Sequence, residues 1–296
     1  MKDRPSATAV FVARGIAAVA AEPALAALVP LEAVRLTRAI LRRESLGSRA
    51  MLAALGWSPS RRLVFAVADR ITPGLFLHLA LRKRFVEARV RAALDEGFAQ
   101  VVVLGAGLDT LAPRLAPEFP EVRFLEIDHP ASQGAKRRLL PAGVEGATNL
   151  RFAPLDLALP GARVEDSPDF LPDLPTVFIA EGLLMYLPVD AVRTLFAALA
   201  AGPGRRRVVL SAMTVQPGGR IGFRMSSGLV DRWLALRHEP FLWGIRPDEI
   251  SGFLEPLGFV LRDHADADRL RGENPSVGDR PVAEGEHLYV AEAEGG

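Results

Sequence analysis

The sequence predicts an α/β fold: a doubly wound, seven-stranded, mostly parallel sheet with helices on both faces, preceded by a helical N-terminal cap. Three observations predict it. Short apolar runs recur at 101–104, 122–127, 149–154, 176–180, 207–213, 259–263 and 287–293, and continuous runs of this kind suit strands buried on both faces. Stretches with helical spacing of apolar residues separate several of these runs. Residues 1–80 show no strand alternation at all. The organisation expected is a cap over 1–80 and the sheet domain over 81–296, with a further cap insertion at about 214–245.

Composition permits this and narrows the function. Of 296 residues, 49% are apolar and 24% charged, enough to bury a full core. A net charge of +1 creates no field for nucleic acid or an anionic membrane. The absence of cysteine excludes disulfides, thiolate zinc sites and a cysteine nucleophile. Near the N-terminus Lys2 and Arg4 precede an Ala- and Val-rich run, but Asp3, Arg14 and Glu22 interrupt it below the length of a signal core or membrane span. A soluble, cytoplasmic protein is expected.

Taken in order, residues 8–31 are Ala-rich and helix-prone, divided by Pro23 and Pro30. Residues 32–43, 52–57 and 63–68 are further helical candidates, broken at Gly56, Pro59 and Pro73-Gly74. Such a segment ahead of an open sheet is placed to form a lid over a pocket at the sheet's edge. Residues 76–96 form one amphipathic helix with Phe85, Val86, Val90 and Leu94 on a stripe and Arg82 and Arg84 near its start.

The stretch VVVLGAGLDTLAPRLAPEFPEVRFLEIDHP (101–130) organises the rest. After Val101-Val102-Val103-Leu104, the small residues Gly105, Ala106 and Gly107 let a ligand approach the backbone. Asp109-Thr110 opens a short helix, and the next strand ends in the acids Glu126 and Asp128. Ligands of open α/β sheets bind at the carboxyl ends of the strands, where Asp128, helped by Glu126, is placed to hold ribose hydroxyls. His129 is placed to stack on a base. A dinucleotide fingerprint needs a third glycine, but Thr110 stands there, and the Lys-Ser/Thr pair of a P-loop is missing. A cofactor with ribose and no phosphate fits better, and S-adenosylmethionine is the common one. Arg82 or Arg84 would then pair with its methionyl carboxylate, which a guanidinium matches bidentately.

Further along, Asp156 follows the third strand and is placed to accept from the adenine amine. Glu181 follows the apolar run Thr176–Ala180 and faces the same crevice as Gly105 and Asp128. Tyr186 lies in the following turn, a candidate for orienting an acceptor. Residues 190–201 read as a helix ended by Gly202-Pro203-Gly204, and 247–258 as another that starts at Pro247-Asp248-Glu249 and stops at Gly258. Residues 158–175 and 266–285 read as loops, and 214–245, with Trp233, Phe241 and Trp243, as a less regular wall of an acceptor pocket. The histidines at 78, 129, 238, 264 and 287 lack metal-ligand spacing, so no metal is expected.

The motifs LGAGLDT, EIDHP and IAEGLLMYLP, in this order, resemble the leucine carboxyl methyltransferase family. The resemblance runs from about Arg82 to the last strand. It implies a class I methyltransferase, Rossmann-like fold with an antiparallel last strand, and S-adenosylmethionine as cofactor. It also implies cofactor contacts from an arginine in the 82–84 region, from the Asp156-Leu157 pair at the adenine, and from Glu181 near the methionyl part. The reaction expected is O-methylation of a small-molecule carboxylate or hydroxyl, leaving S-adenosylhomocysteine. Catalysis would rest mainly on alignment, and a hydroxyl acceptor would need a base for which the sequence offers no candidate. Other readings are an NAD-dependent dehydrogenase on a similar sheet and a non-catalytic cofactor-binding domain.

Overall fold

The structure is a computed structural model and describes residues 5–159 and 161–293; Lys2, Asp3 and Arg4 lie outside them. The chain opens with helices α1 (Ala7–Ala21), α2 (Leu31–Glu44), α3 (Leu46–Leu55) and α4 (Ser58–Ile71). Pro59 starts α4 instead of breaking it. It occupies the first turn, where a missing N–H costs nothing. Helix α3 begins well before residue 52 because the Ser45 hydroxyl accepts the Ser48 N–H at 3.1 Å, an N-cap that local apolar spacing does not reveal.

Helix α5 (Leu75–Asp95) leads into β1 (Gln100–Leu104), α6 (Leu111–Glu118), β2 (Arg123–Asp128), α7 (Pro130–Leu139), β3 (Leu150–Pro154), β4 (Thr176–Ala180), α8 (Val189–Ala200) and β5 (Arg206–Met213). Then come α9 (Gly228–Leu236), α10 (Ile250–Leu254), β6 (Phe259–Ala265), α11 (Ala267–Gly272) and β7 (Glu286–Ala293). The strand order is β3-β2-β1-β4-β5-β7-β6. Strands β1 to β5 pair in parallel, and β7 runs antiparallel to both β5 and β6.

Two helices, α9 and α11, arise where irregular chain and a loop were expected, and α7 arises in a stretch without a strong apolar pattern. The polar α7 is started by His129, whose ring nitrogen Nδ1 accepts the Ala131 N–H at 3.1 Å. Helix α11 is started by the Asp266 carboxylate, which accepts the Arg269 N–H at 2.9 Å. Helix α9 lies in the 214–245 insertion and buries little of itself, Leu234 chiefly. Each is short and marginal alone, so a cap decides α7 and α11, and tertiary contact, Trp233 against Phe11, decides α9.

Alternation along β1 sends Val101 and Val103 into one hydrophobic cluster and Val102 and Leu104 into the other. The first cluster unites α1, α5 and α6 with one sheet face; the second packs α8 and α10 on the other. Full burial of an aliphatic side chain is worth roughly 1.5–3 kcal/mol, and all four side chains of 101–104 are buried. That anchors the strand on whose end the glycine turn sits. Among the described residues no single helix is long and apolar enough to cross a membrane; α4 and α5 reach that length together only across a 90° bend.

Candidate active site

The turn after β1 places two glycines in left-handed backbone, Gly105 at φ 63° and Gly107 at φ 49°, a region that penalises a side chain. A Cβ on Gly105 would also lie 2.7 Å from Leu183 Cδ1. Opposite the turn, the Asp128 carboxylate accepts the Gly107 N–H and the His129 N–H, each at 2.7 Å. Burial raises the Asp128 pKa despite these two bonds. The carboxylate is thus pinned at the tip of β2 with lone pairs to spare.

These residues line a cavity of about 420 Å³ at the carboxyl ends of β1, β2 and β4. Arg82, Arg84, Gly105, Ala106, Gly107, Asp128, His129, Glu181 and Tyr186 all reach it. A chain of ionisable groups runs along one wall and behind it. His78 Nε2 lies 2.8 Å from Glu286 Oε2. Arg82 Nη1 donates to both Glu286 oxygens at 2.8 Å, and its Nε donates to Glu181 at 2.8 Å. Lys83 Nζ then bridges Glu181 at 3.0 Å and Asp109 at 2.8 Å. Burial opposes ionisation of Asp109, but Lys83, Lys136 and the Leu111 N–H outweigh it and hold the carboxyl well below its usual range. Burial likewise opposes ionisation of Glu286, and Arg82 and His78 reverse it.

The same wall shows what local pattern missed. Lys83 lies between the two arginines singled out. Asp109 reads as a helix opener, which it also is, accepting the Leu111 N–H at 3.0 Å. Glu286 begins β7, 204 residues from Arg82. Arg84, by contrast, donates to Asn274 Oδ1 at 2.8 Å and to the Ala27 carbonyl at 3.4 Å.

Three expected residues stand elsewhere. Glu126 does not share the Asp128 site: one pleat back along β2, it is fully buried under α7 and paired with Lys136 Nζ at 2.6 Å. Burial pushes its carboxyl up to about 7 against the pull of Lys136. Leu157 belongs to the hydrophobic cluster on the far face of the sheet. Asp156 accepts the Ala158 N–H at 3.0 Å in a local turn and stands 3.7 Å from His129 Nε2, beside the cavity but not lining it. Of the histidines, His264 and His287 meet across strands with nitrogens 2.8 Å apart.

Helix α1 covers the cavity, and Glu239 in the insertion fastens it. The Glu239 carboxylate accepts the Ala7 and Thr8 N–H groups at 3.0 Å each, and the Thr8 hydroxyl as well. An anion on a helix N-terminus is favoured by the orphan donors and the dipole. A second cavity of about 870 Å³ adjoins the first. The two share Thr8, Val12, Arg82, Gly182 and Tyr186. Tyr186 packs on Phe241 with ring centroids 5.6 Å apart, and burial raises the pKa of its phenol.

The sequence profile of the leucine carboxyl methyltransferase family matches residues 33–200. A protein of Frankia alni, provisionally named an S-adenosyl-L-methionine-dependent methyltransferase, is 35% identical over 204 residues, covering 64% of this chain and 66% of its own. One of Mycobacteroides abscessus with the same provisional name is 35% identical over 207 residues, 69% of this chain and 63% of its own. The chain thus spans roughly two thirds of the length of these relatives. In fold, a crystal structure of a provisionally named methyltransferase from Thermobifida fusca superposes with a TM-score of 0.58 at 17% identity, covering 99% of this chain and 96% of that one.

Proposed function

The chain belongs to the leucine carboxyl methyltransferase family, and from that premise we propose that it transfers a methyl group from S-adenosylmethionine to a carboxylate oxygen of a small-molecule acceptor. One observation carries this reading: the cavity beside the glycine turn and Asp128 shares a wall with a second, larger cavity. The donor set of the first suits the cofactor. Asp128 presents a fixed anion for two ribose hydroxyls, and the glycine turn leaves room for backbone contact. Glu181 and Asp109 can receive an ammonium, and Lys83 and Arg82 a carboxylate. Arg82 is the better of the two arginines for this end, since its guanidinium stands beside Glu181 and Gly182, while Arg84 turns to Asn274 and the Ala27 carbonyl.

The cofactor supplies a methyl group already activated on a sulfonium, so the chain's task is to position an acceptor oxygen. On either side of the shared wall, Glu181 in the first cavity is held by Arg82 and Lys83, and Glu286 in the second by Arg82 and His78. The Tyr186 phenol stays protonated and can only donate to an anion. With each carboxylate of the wall engaged, an acceptor that arrives ionised is favoured over a hydroxyl that must lose a proton.

Calorimetric titration with S-adenosylhomocysteine and, separately, NADH tests the cofactor. Micromolar binding of the first alone is expected. Binding of NADH alone would replace methyl transfer with a dehydrogenase. Binding of S-adenosylhomocysteine with no turnover on carboxylate or hydroxyl acceptors would favour a non-catalytic domain.

A further inference from the structure

Resting on the methyl-transfer reading, we propose that the 870 Å³ cavity is the acceptor pocket and that it takes a bulky, ring-bearing, largely apolar molecule. The shared wall of Thr8, Val12, Arg82, Gly182 and Tyr186 leads directly from the cofactor cavity into it. Its volume lies at the upper end of the range of about 300–1,000 Å³ for small-molecule sites, far more than a short-chain acid fills.

Ring character follows from the walls. Phe11, Tyr186, Phe223, Trp233 and Phe241 line this cavity, brought together from α1, the turn after β4 and the insertion. Phe11 and Trp233 meet at 6.0 Å with planes inclined by 52°, and Tyr186 and Phe241 at 5.6 Å with 53°. Such tilted faces and edges offer a planar ring offset or edge-on contacts that a flexible chain cannot use, worth more than buried area alone.

The charges in the lining, Arg14, Glu44, Arg82, Arg138, Arg237 and Glu286, do not call for a charged body, and Arg138 is itself engaged. Arg14 is held by Ser48 at 2.9 Å and stands 3.6 Å from Glu44. Arg82 and Glu286 neutralise one another. Arg237 is exposed, and its guanidinium lies over the Trp233 ring at 5.9 Å. A peptide would bring backbone amides that lose water and find aromatic faces in exchange, which is costly. The polar end of the acceptor therefore belongs at the shared wall and its rings among the aromatics.

Ala68 gives a test. It lines the second cavity and not the first. It sits half-buried at the edge of the core on α4, a helix with no fully buried residue, and unchanged affinity for S-adenosylhomocysteine is the check that a larger side chain there leaves the fold intact. The protein saturated with S-adenosylhomocysteine is titrated with anthracene-2-carboxylate, with hexanoate, and with a hexapeptide ending in leucine. The ring probe is expected to bind at least tenfold tighter than the other two. Ala68→Trp should weaken it at least tenfold and Ala68→Leu by less, both with unchanged affinity for S-adenosylhomocysteine. Failure of the wild type to bind S-adenosylhomocysteine would strike the methyl-transfer reading. Normal S-adenosylhomocysteine binding, with the ring probe unbound, matched by hexanoate or the peptide, or indifferent to Ala68→Trp, would overturn the pocket assignment alone.

Discussion

Asp128→Ala separates binding from stability. In the structure the carboxylate is held by two backbone N–H groups at 2.7 Å, yet burial still raises its pKa. A group whose folded pKa lies above its unfolded value stabilises the fold only in acid. That contribution is full below the ordinary Asp value of 3.8 and is lost as pH rises through the folded value. At neutral pH the ionised Asp128 is therefore a net burden on the fold, retained for what it binds. Its replacement should leave the melting temperature at pH 7 close to wild type, the relief of the buried charge offsetting the two lost bonds. Affinity for S-adenosylhomocysteine should fall, because hydrogen bonds from ribose hydroxyls to a fixed carboxylate disappear. Bonds to a charged group are worth about 1.5–3 kcal/mol each, and water in the vacated space recovers part of that. A loss of about 1–3 kcal/mol, or about 5- to 150-fold in Kd, is expected by calorimetry. A folded variant with wild-type affinity would refute the assignment of Asp128 to the ribose.

Three further outcomes follow from the same geometry. Asp109 is held below its usual range, so its contribution to stability is present above about pH 4 and disappears as pH falls further; Asp109→Asn should cost roughly 1–3 kcal/mol at pH 7 and flatten the acid loss, read from urea melts at pH 7 and 3.5, and a variant with the wild-type acid slope would contradict this. Lys136→Met leaves the buried Glu126, whose carboxyl already stands at about 7, to take up a proton, and should cost about 1–3 kcal/mol at pH 7, whereas replacing both Glu126 and Lys136 by Met should be neutral or stabilising. The double variant should bind S-adenosylhomocysteine like wild type, since Glu126 does not line the cavity; weakened binding would return Glu126 to the site. Glu239→Ala removes the anion at the start of α1, worth about 0.5–2 kcal/mol, and should speed S-adenosylhomocysteine release in stopped-flow experiments and expose α1 to proteolysis; an unchanged release rate would mean that the clasp does not govern access.

Much of the fold is legible in the sequence because its signals are local. The four buried residues of 101–104, the glycine turn, the helix stripe on α5 and the acid that ends β2 are each stated within a few neighbours. The position of Asp128 and Glu181 at strand tips follows from strand periodicity and the rule that open sheets bind ligands at that edge, whereas the left-handed backbone of Gly105 and Gly107 is seen only in the structure. Local pattern fails where a cap or a distant partner decides. The polar α7 depends on the ring of His129, and Pro59 reads as a break until its place in the first turn is known.

Tertiary structure alone decided the roles of the charged residues. The LRKR run in α5 presents three cations, and only the fold gives Arg82 to Glu181 and Glu286, Lys83 to Asp109 and Glu181, and Arg84 to Asn274. Glu126 and Asp128 look alike in sequence, but one pleat puts the first under α7 and the second at the cavity. The Glu239 clasp joins residues 232 positions apart, and the second cavity assembles aromatics from α1, the turn after β4 and the insertion. Periodicity records which way a side chain faces in its own element, and it carries nothing about which distant charge or ring will meet it there.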